Sequence, residues 1–547
     1  MPCELDVFGL HFPKCSTRRR RSNIISASSM HIDWQAFRRA RLARDPRFDG
    51  KFFVGVLSTK IYCRPSCPVP TVKDSNIRYF ETAAAAGEAG FRPCLRCRPE
   101  CSPGTPAWLG TPSTVSRALR LIAESGLEGG GVEGLAERMG VGSRHLRRLF
   151  VQHLGATPSA VAQTRRLHFA KKLIDETTLP MNQVALASGF GCVRRFNATI
   201  LKTYRRTPTH LRGLGRLKDL PPDNQYLFRL HFRPPYHWET MLSFLALRAT
   251  PGVETVEGGL YRRSISLGGE HGYFEVSQEK SVPALRVRVQ FGNPSALFMI
   301  TERIRRMFDL NADWMAIAAT LNADPALAHL LETKPGVRLP GCWDGFELAV
   351  RAVLGQQITV KAATTFAGRL VRGFGKTFSN RSDLTHLFPT PRALADADLT
   401  RIGLTRARAI SIQSLARAVH CREISFEGVV DPEILLAPLR RISGIGEWTA
   451  QYVAMRALGE PDAFPVGDVA LLRKLNLRHS QELEKRAEAW RPWRAYAAVY
   501  LWCATGEPGA RANKKKPAVM KAGEGSIAET SSPRSRSKNA RDVQFAD

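Results

Sequence analysis

The chain has 547 residues and a formal net charge of +31, with 80 lysines and arginines against 49 aspartates and glutamates. This length suits three or four domains of about 150 residues, and the charge excludes an acidic solvating protein and favours a polyanionic partner. Apolar residues make up 44% of the chain, enough for globular cores, but no apolar run reaches the roughly 18 residues of a membrane span.

Composition divides the chain into segments. Residues 1–30 are rich in serine and arginine and lack periodicity, so we predict a disordered extension without a secretory signal. Residues 31–101 contain every closely spaced cysteine, and alternation over Phe52–Cys63 predicts one or two strands. The 11 cysteines are odd in number and thinly spread apart from one cluster, which favours a metal or reactive-thiol site in a reducing compartment over a disulfide framework.

The remaining segments alternate between helical and strand patterns. Residues 113–213 predict short helices separated by glycine turns, and residues 222–294 contain several alternating strand patterns. Residues 295–507 are helix-rich, and residues 508–547 predict a disordered basic tail. The expected fold class is multidomain α+β: a small zinc-bound α/β domain, an all-α double helix-turn-helix domain, a β-rich lobe and an all-α domain, with disordered termini.

The cysteine cluster consists of two close pairs, Cys63 with Cys67 and Cys94 with Cys97. Each short spacing lets two thiolates face one ion from a tight turn, so the four residues predict one tetrahedral Zn²⁺ site. Sites closed by four cysteines are usually structural, and spacing alone favours a zinc site without chemistry.

The residues around the cysteines resemble the N-terminal domain of the Ada family. The resemblance rests on Asp45–Gly50, Ile61–Cys67 and Gly90–Cys97. It implies that Cys63 accepts a methyl group from a DNA methylphosphotriester, once per molecule, because a thioether is a poor leaving group. Methylation would remove one negative charge and thereby strengthen binding to DNA.

The helical segment that follows has two similar units. Leu135–Phe150 and Val184–Leu201 each place an apolar helix, a glycine turn and a basic helix in order, with Ser143 as an expected N-cap. A long helix over about 158–175 joins them, and the whole resembles the AraC-type DNA-binding domain. Without that resemblance the arginines would equally suit the solvated face of a helical bundle. The side chains expected to reach bases or phosphates are Arg144, His145, Arg147 and Arg194.

Two further features lie near the end of the chain. Gly444 and Gly446 allow a tight hairpin whose backbone N–H groups can hold a phosphate, although such a pattern alone is more typical of an ordinary loop. Asp468 is a lone acid in an apolar stretch, and by itself it reads equally as the N-cap of the following helix.

Together with Leu339–Asp344, Ala352–Thr359 and Trp490–Tyr496, these features resemble the AlkA-type 3-methyladenine DNA glycosylases of the helix-hairpin-helix superfamily. The resemblance implies that Asp468 is the catalytic aspartate and that Gln357 fills the gap left by an everted base. It also implies an aromatic base pocket, although each of its members could instead be a core residue: Trp448, Tyr452 and Trp502.

Trp448 stands where lyase members of that superfamily carry a lysine, so we expect a monofunctional glycosylase that hydrolyses the N-glycosidic bond of purines such as 3-methyladenine and 7-methylguanine. The alternative is a methylation-responsive transcription regulator whose glycosylase fold is catalytically silent. The expected partner is double-stranded DNA, both damaged and promoter, with RNA polymerase as a candidate and no membrane. A cytoplasmic, nucleoid-associated location follows, while the sequence does not indicate an oligomeric state.

Overall fold

The computed structural model describes residues 34–70, 72–104, 113–125, 127, 130–214, 224–379, 383–428 and 431–504. The N-terminal extension and the basic tail predicted from the sequence lie outside these residues. Among the described helices none is long and apolar enough to cross a membrane.

The zinc module is a small four-stranded sheet with one helix before its first strand and one helix before its last strand. The two predicted strands form and pair antiparallel, with Val54 opposite Cys63. The sheet order is β3-β1-β2-β4, and β4 runs parallel to β2. The elements are α1 (Trp34–Leu42), β1 (Phe53–Val56), β2 (Ile61–Cys63), β3 (Ile77–Phe80), α2 (Ala83–Glu88) and β4 (Arg92–Pro93).

The second module is all-helical, as the sequence predicts. Its long central helix is capped by Thr157, whose Oγ1 accepts from the N–H of Ala160 at 3.2 Å. Ser143 is not an N-cap: it is the first residue of its helix, and Gly142 occupies the cap position. The helices are α3 (Ser113–Ser125), α4 (Gly131–Arg138), α5 (Ser143–Leu154), α6 (Pro158–Glu176), α7 (Met181–Ala187), α8 (Val193–Tyr204) and α9 (Pro208–Leu214).

The β-rich lobe is a five-stranded antiparallel sheet in the order β5-β9-β8-β7-β6. Four strands match predicted alternating segments. The helix between β5 and β6 was not predicted, because its apolar residues are short in extent and lie between strand patterns. The elements are β5 (Gln225–His231), α10 (Trp238–Ala246), β6 (Glu254–Glu257), β7 (Leu260–Leu267), β8 (Glu270–Gln278) and β9 (Ala284–Gln290).

The last described module is a helical bundle with its own apolar core. That core runs from Ile317 to Trp502 and includes the apolar faces of most of its helices. The helices are α11 (Leu297–Met307), α12 (Trp314–Leu321), α13 (Pro325–Thr333), α14 (Gly345–Leu354), α15 (Val360–Phe374), α16 (Pro391–Ala395), α17 (Arg406–His420), α18 (Pro432–Arg441), α19 (Glu447–Val453), α20 (Val469–Lys474), α21 (Ser480–Ala487) and α22 (Arg494–Ala504).

Two of the cores cross the module boundaries. Buried residues of the zinc module, such as Phe53 and Phe80, share one core with residues of α3–α5 such as Leu146. The second helix-turn-helix unit shares another core with the β-rich lobe, in which Phe196 and Phe228 take part. Because apolar burial is the main driving force of folding, these modules stabilise each other.

A buried arginine also joins the zinc module to the β-rich lobe. Arg233 is only 1% exposed, and its guanidinium donates to three carbonyl oxygens: Asp49 (3.0 Å) in the zinc module, Gly104 just after that module, and Asn311 (2.7 Å) in the helical region. A backbone segment from each region is therefore fixed by one side chain, because guanidinium donors form a rigid planar fork.

Candidate active site and zinc centre

The Asp468 carboxylate lies at the start of α20 and is largely buried, with 8% of the residue exposed. Its Oδ1 accepts from the backbone N–H of Leu471 at 2.9 Å, so the side chain caps the helix. Two indoles also donate to the carboxylate: Trp448 Nε1 to Oδ2 at 2.9 Å, and Trp502 Nε1 to Oδ1 at 3.2 Å. One side chain thus serves as a helix cap and as the acid of an aromatic site.

Three aromatic rings border this carboxylate. Trp448 and Tyr452 are one turn apart on α19 and stack with ring centroids 5.2 Å apart. Trp502 comes from α22, with its ring 6.2 Å from Tyr452 and tilted by 54°. A base between two parallel rings needs about 7 Å, twice the ~3.5 Å contact distance of carbon atoms. The rings of Tyr452 and Trp502 are closer than this and are not parallel.

A buried arginine that was not predicted from the sequence binds the hydroxyl of Tyr452. Arg456 lies in a π-helical turn, Ala454–Leu458, that continues α19. Its guanidinium donates to Tyr452 Oη at 2.7 Å, to the carbonyl of Pro340 at 2.8 Å and to that of Gly341 at 2.9 Å. The four-residue spacing from Tyr452 was the one signal in the sequence that could have identified it.

A second arginine stands beside the first. The Arg248 guanidinium lies 3.8 Å from the centroid of the Phe244 ring, and that of Arg456 lies 4.8 Å from the same ring. Burial opposes ionisation of Tyr452, but the neighbouring guanidiniums of Arg456 and Arg248 outweigh it and hold the pKa of its hydroxyl below the usual value. Two guanidiniums therefore lie near the Tyr452 hydroxyl.

The predicted hairpin joins α18 to α19. Gly444 has φ +87°, and a Cβ there would clash with Ser411 Oγ, so the turn needs glycine. Gly446 is the N-cap of α19 and supplies no side chain to the first N–H groups of that helix, which are then available to a phosphate. Gln357 is exposed at the turn between α14 and α15, with an unusual φ of +60°.

The structure brings the four predicted zinc ligands together. The Sγ atoms of Cys63, Cys67, Cys94 and Cys97 all lie within 4.8 Å of one another, and all four residues are buried. A tetrahedron with Zn–S bonds of ~2.3 Å has sulfurs about 3.8 Å apart, so this grouping fits the ion in size as well as in donor type. The four cysteines hold one Zn²⁺.

An aspartate braces the first pair of ligands. Asp49 is 3% exposed, and its carboxylate accepts from the N–H and Oγ of Ser66, at 3.1 and 2.6 Å, and from Arg64 Nη1 at 3.2 Å. Burial raises the pKa of Asp49, although Arg64 and Ser66 act in the opposite direction. Asp49 therefore fixes the turn between Cys63 and Cys67. The backbone of Asp49 is itself bound by Arg233.

The residue before Cys63 attaches the zinc module to α6. The hydroxyl of Tyr62 and Nε2 of His168 are 3.0 Å apart. Burial, reinforced by the charge of Arg165, lowers the pKa of His168 to about 4. The imidazole is therefore neutral in the folded chain at pH values where an unfolded histidine, with a pKa of about 6.5, is already charged.

This difference predicts an acid-sensitive junction. As pH falls below the unfolded pKa, the unfolded state gains a proton that the folded state does not, so stability falls; at pH 5.5 the loss relative to pH 7.5 is about 1.4 kcal/mol. We expect denaturant unfolding of wild type to show this additional loss relative to His168→Gln, which does not titrate. Cysteine protonation affects both proteins alike, so equal pH dependence in the two would contradict the assignment.

The predicted DNA-contacting side chains of the helix-turn-helix module are exposed. Arg144, His145 and Arg147 lie on α5, and Arg194 lies on α8. Arg147 pairs with Glu133 at 2.5 Å. Both pairs of helices have the form that presents a second, basic helix to DNA, but this geometry does not distinguish base from phosphate contacts.

A cavity of about 840 Å³ lies where the modules meet and is distinct from the aromatic site. Its lining includes His231, Glu100 and, from the surroundings of the aromatic site, Arg456, but not Asp468 or the three rings around it. The carboxylate with its three N–H donors is therefore the candidate active site.

Family models match the chain in the same order as its modules. The descriptions are the metal binding domain of Ada (36–100), a helix-turn-helix domain (135–213), the AlkA N-terminal domain (227–344) and the HhH-GPD superfamily base excision DNA repair protein (350–494). The third match extends past the sheet into the helical region.

Curated relatives show the same combination. A Mycobacterium tuberculosis protein named "probable bifunctional transcriptional activator/DNA repair enzyme AlkA" is 40% identical over 487 residues, covering 88% of this chain and 98% of that one. DNA-3-methyladenine glycosylase 2 of Escherichia coli is 32% identical, covering 51% and 98%. Escherichia coli Ada is 37% identical over 133 residues, covering 24% and 35%. The chain belongs to the family of bifunctional transcriptional activator/DNA repair proteins in which an Ada-type zinc domain and a helix-turn-helix domain precede an AlkA-type glycosylase.

Proposed function

We propose that the chain repairs alkylated DNA as a monofunctional glycosylase and senses alkylation through its zinc module. The observation that carries the first part is the buried Asp468 carboxylate, hydrogen-bonded to two indoles of an aromatic pocket. An alkylated purine is cationic, and an electron-rich ring face attracts a cation. The pocket therefore suits such a base once it has been everted from the duplex.

In the proposed reaction the bond between the base nitrogen and C1′ of the deoxyribose breaks, and its electron pair leaves with the base. The positive charge that develops on the sugar is stabilised by the Asp468 carboxylate, which acts best in a site from which water is largely excluded. Water then adds to C1′ and gives up a proton, leaving an abasic site. Trp448 offers no amine, so no covalent bond to the sugar forms and the strand stays intact.

The proposal also assigns the DNA contacts. Gln357 fills the gap left by the everted base, and the N–H groups at Gly446 hold a backbone phosphate of the same strand. Arg144, His145, Arg147 and Arg194 bind promoter DNA through the helix-turn-helix module. A protein bound to promoter DNA in this way would contact RNA polymerase. It would act at the nucleoid.

In the sensor, the Cys63 sulfur attacks the methyl carbon of a methylphosphotriester. The methyl–oxygen bond breaks, its electron pair stays on the phosphate oxygen, and an ordinary phosphodiester and a thioether result. Zn²⁺, when bound, keeps the four sulfurs deprotonated at neutral pH. The Asp49 contacts to Arg64 and Ser66 hold the attacking residue in place.

The glycosylase proposal is tested by the state of the DNA strand after reaction. Wild-type protein incubated with a duplex carrying one 7-methylguanine should leave the strand intact until alkali is added, which then cleaves it at the abasic site. Cleavage without alkali would contradict the monofunctional assignment. No cleavage in either condition would favour the alternative, a regulator whose glycosylase fold is silent.

A further inference from the structure

The turn that carries Gln357 is held in a strained conformation. Gln357 is exposed, yet its φ of +60° lies in the left-handed region that residues other than glycine rarely adopt. Such a conformation is unfavourable by itself and persists only where the surroundings impose it. The contacts of the preceding residue identify what imposes it here.

Gln356 is tied on both its main chain and its side chain. Its carbonyl oxygen accepts from Arg408 Nη2 at 2.7 Å. Its side-chain amide donates to the carbonyl of Gly444 at 2.7 Å and to Thr449 Oγ1 at 3.1 Å. We call the turn that carries Gln357 the wedge turn. Gln356 connects it to α17, to the hairpin and to the first turn of α19.

The same helix that holds the wedge turn also holds the hairpin. Ser411, one turn after Arg408 on α17, donates from Oγ to the carbonyl of Ser443 at 2.6 Å. Thr449 is next to Trp448, which donates to Asp468. The contacts thus run without interruption from the exposed wedge, through Gln356, to the candidate catalytic carboxylate.

We propose that Arg408 and Gln356 are positioning residues that lock the wedge turn, the hairpin and the start of α19 into one rigid unit. The hairpin would then bind the DNA backbone at the same time as Gln357 enters the base stack. Because the strained turn is already formed in the folded protein, DNA binding does not include the free-energy cost of ordering it. This inference rests on the proposed glycosylase function and adds two residues to it.

The test compares Arg408→Ala with Arg406→Ala. Both variants lose one positive charge from the first turn of α17, so their loss of nonspecific DNA attraction should be similar. Arg406 is exposed and has no assigned contact with the wedge turn. Gln356→Glu is a second, independent variant, because a carboxylate cannot donate to the Gly444 carbonyl and places a negative charge beside that oxygen.

Two readouts separate positioning from charge. The first is the fluorescence of a 2-aminopurine placed beside a single 7-methylguanine, which rises when the neighbouring base leaves the stack. The second is the single-turnover rate of base release, measured with protein in excess of the DNA and above the dissociation constant of the complex. We expect Arg408→Ala and Gln356→Glu to lower this rate by about 10–100-fold, the scale of a displacement near 1 Å, and to reduce the fluorescence rise. Arg408→Lys, which keeps one donor, should recover part of the rate.

Equal rates and equal fluorescence in Arg408→Ala, Gln356→Glu and Arg406→Ala would overturn the inference. If wild type evicts the base, as judged by fluorescence, but releases none, the proposed glycosylase function fails while the positioning claim is still decided by the fluorescence alone. If Arg408→Ala does not fold, as judged by its thermal unfolding, Gln356→Glu and Arg408→Lys decide the question.

Discussion

Asp468→Asn should release alkylated bases about 10²–10³ times more slowly than wild type, the range found when one preorganised electrostatic group is removed from an active site. The substitution removes the negative charge that opposes the developing charge of the sugar. Asparagine is a good N-cap, so α20 should keep its capping bond to Leu471. The measurement is the single-turnover rate on methylated duplex DNA.

The matched control is Asp431→Asn. Asp431 also caps a helix, with Oδ1 accepting from the N–H of Glu433 at 3.1 Å, but it lies outside the aromatic site. The control should change the rate less than about threefold, as expected of a surface change. In Asp468→Asn the amide hydrogens face the Trp448 N–H, so a stability loss of about 1 kcal/mol is expected. A rate within a few fold of wild type would reduce Asp468 to a structural cap.

Cys63→Ala should abolish methyl transfer to the protein. Wild type incubated with methylated DNA should gain one methyl group, located on Cys63 by peptide mass spectrometry, because a thioether does not release the group again. The expected loss in the variant is complete rather than partial, since the reaction is stoichiometric. Zinc content should be measured in parallel, because Cys63 is also a ligand.

Cys101→Ala is the control for this experiment. Cys101 is buried four residues beyond Cys97 but does not belong to the four-sulfur cluster. Burial, partly offset by Arg98, raises the pKa of its thiol to about 11, which leaves little thiolate at neutral pH. The control should keep both zinc and the methyl group. A methyl found on another cysteine of wild type would contradict the assignment of Cys63.

The parts of the site that could be predicted depend on local spacing. The two residues between Cys94 and Cys97 already favour binding of one ion, and the four-position separation of Trp448 and Tyr452 already places both on one helix face. For Asp468 the sequence offered helix cap and catalytic aspartate as competing interpretations. The structure shows the cap and two indole hydrogen bonds on the same carboxylate, and the catalytic role stays a prediction.

Other parts depend on contacts between distant segments, which no local pattern encodes. Arg456 reaches carbonyls more than a hundred positions earlier in the chain, and Arg408 reaches the turn before Gln357 from a different helix. The cores shared by the zinc module, the helix-turn-helix units and the β-rich lobe are equally invisible in the sequence, since each module shows a normal apolar pattern of its own. The domain limits predicted from composition remain predictions.

The shared cores have a consequence for the sensor. The residue before Cys63 contacts α6, and the segment that braces Cys63 is held by Arg233 of the β-rich lobe. The zinc centre is thus joined to both the DNA-binding helices and the glycosylase region by buried contacts. Because these contacts are closely packed and hydrogen-bonded, the structure around Cys63 is rigid and would transmit a local change there to both regions.

The most direct test of the central claim is chromatography of the free bases released from methylated DNA by the full chain. The account predicts that wild type liberates 3-methyladenine and 7-methylguanine well above spontaneous loss, and that Asp468→Asn does so barely above it. Release at the spontaneous rate by folded, zinc-loaded wild type, or equal release by the two proteins, would contradict it.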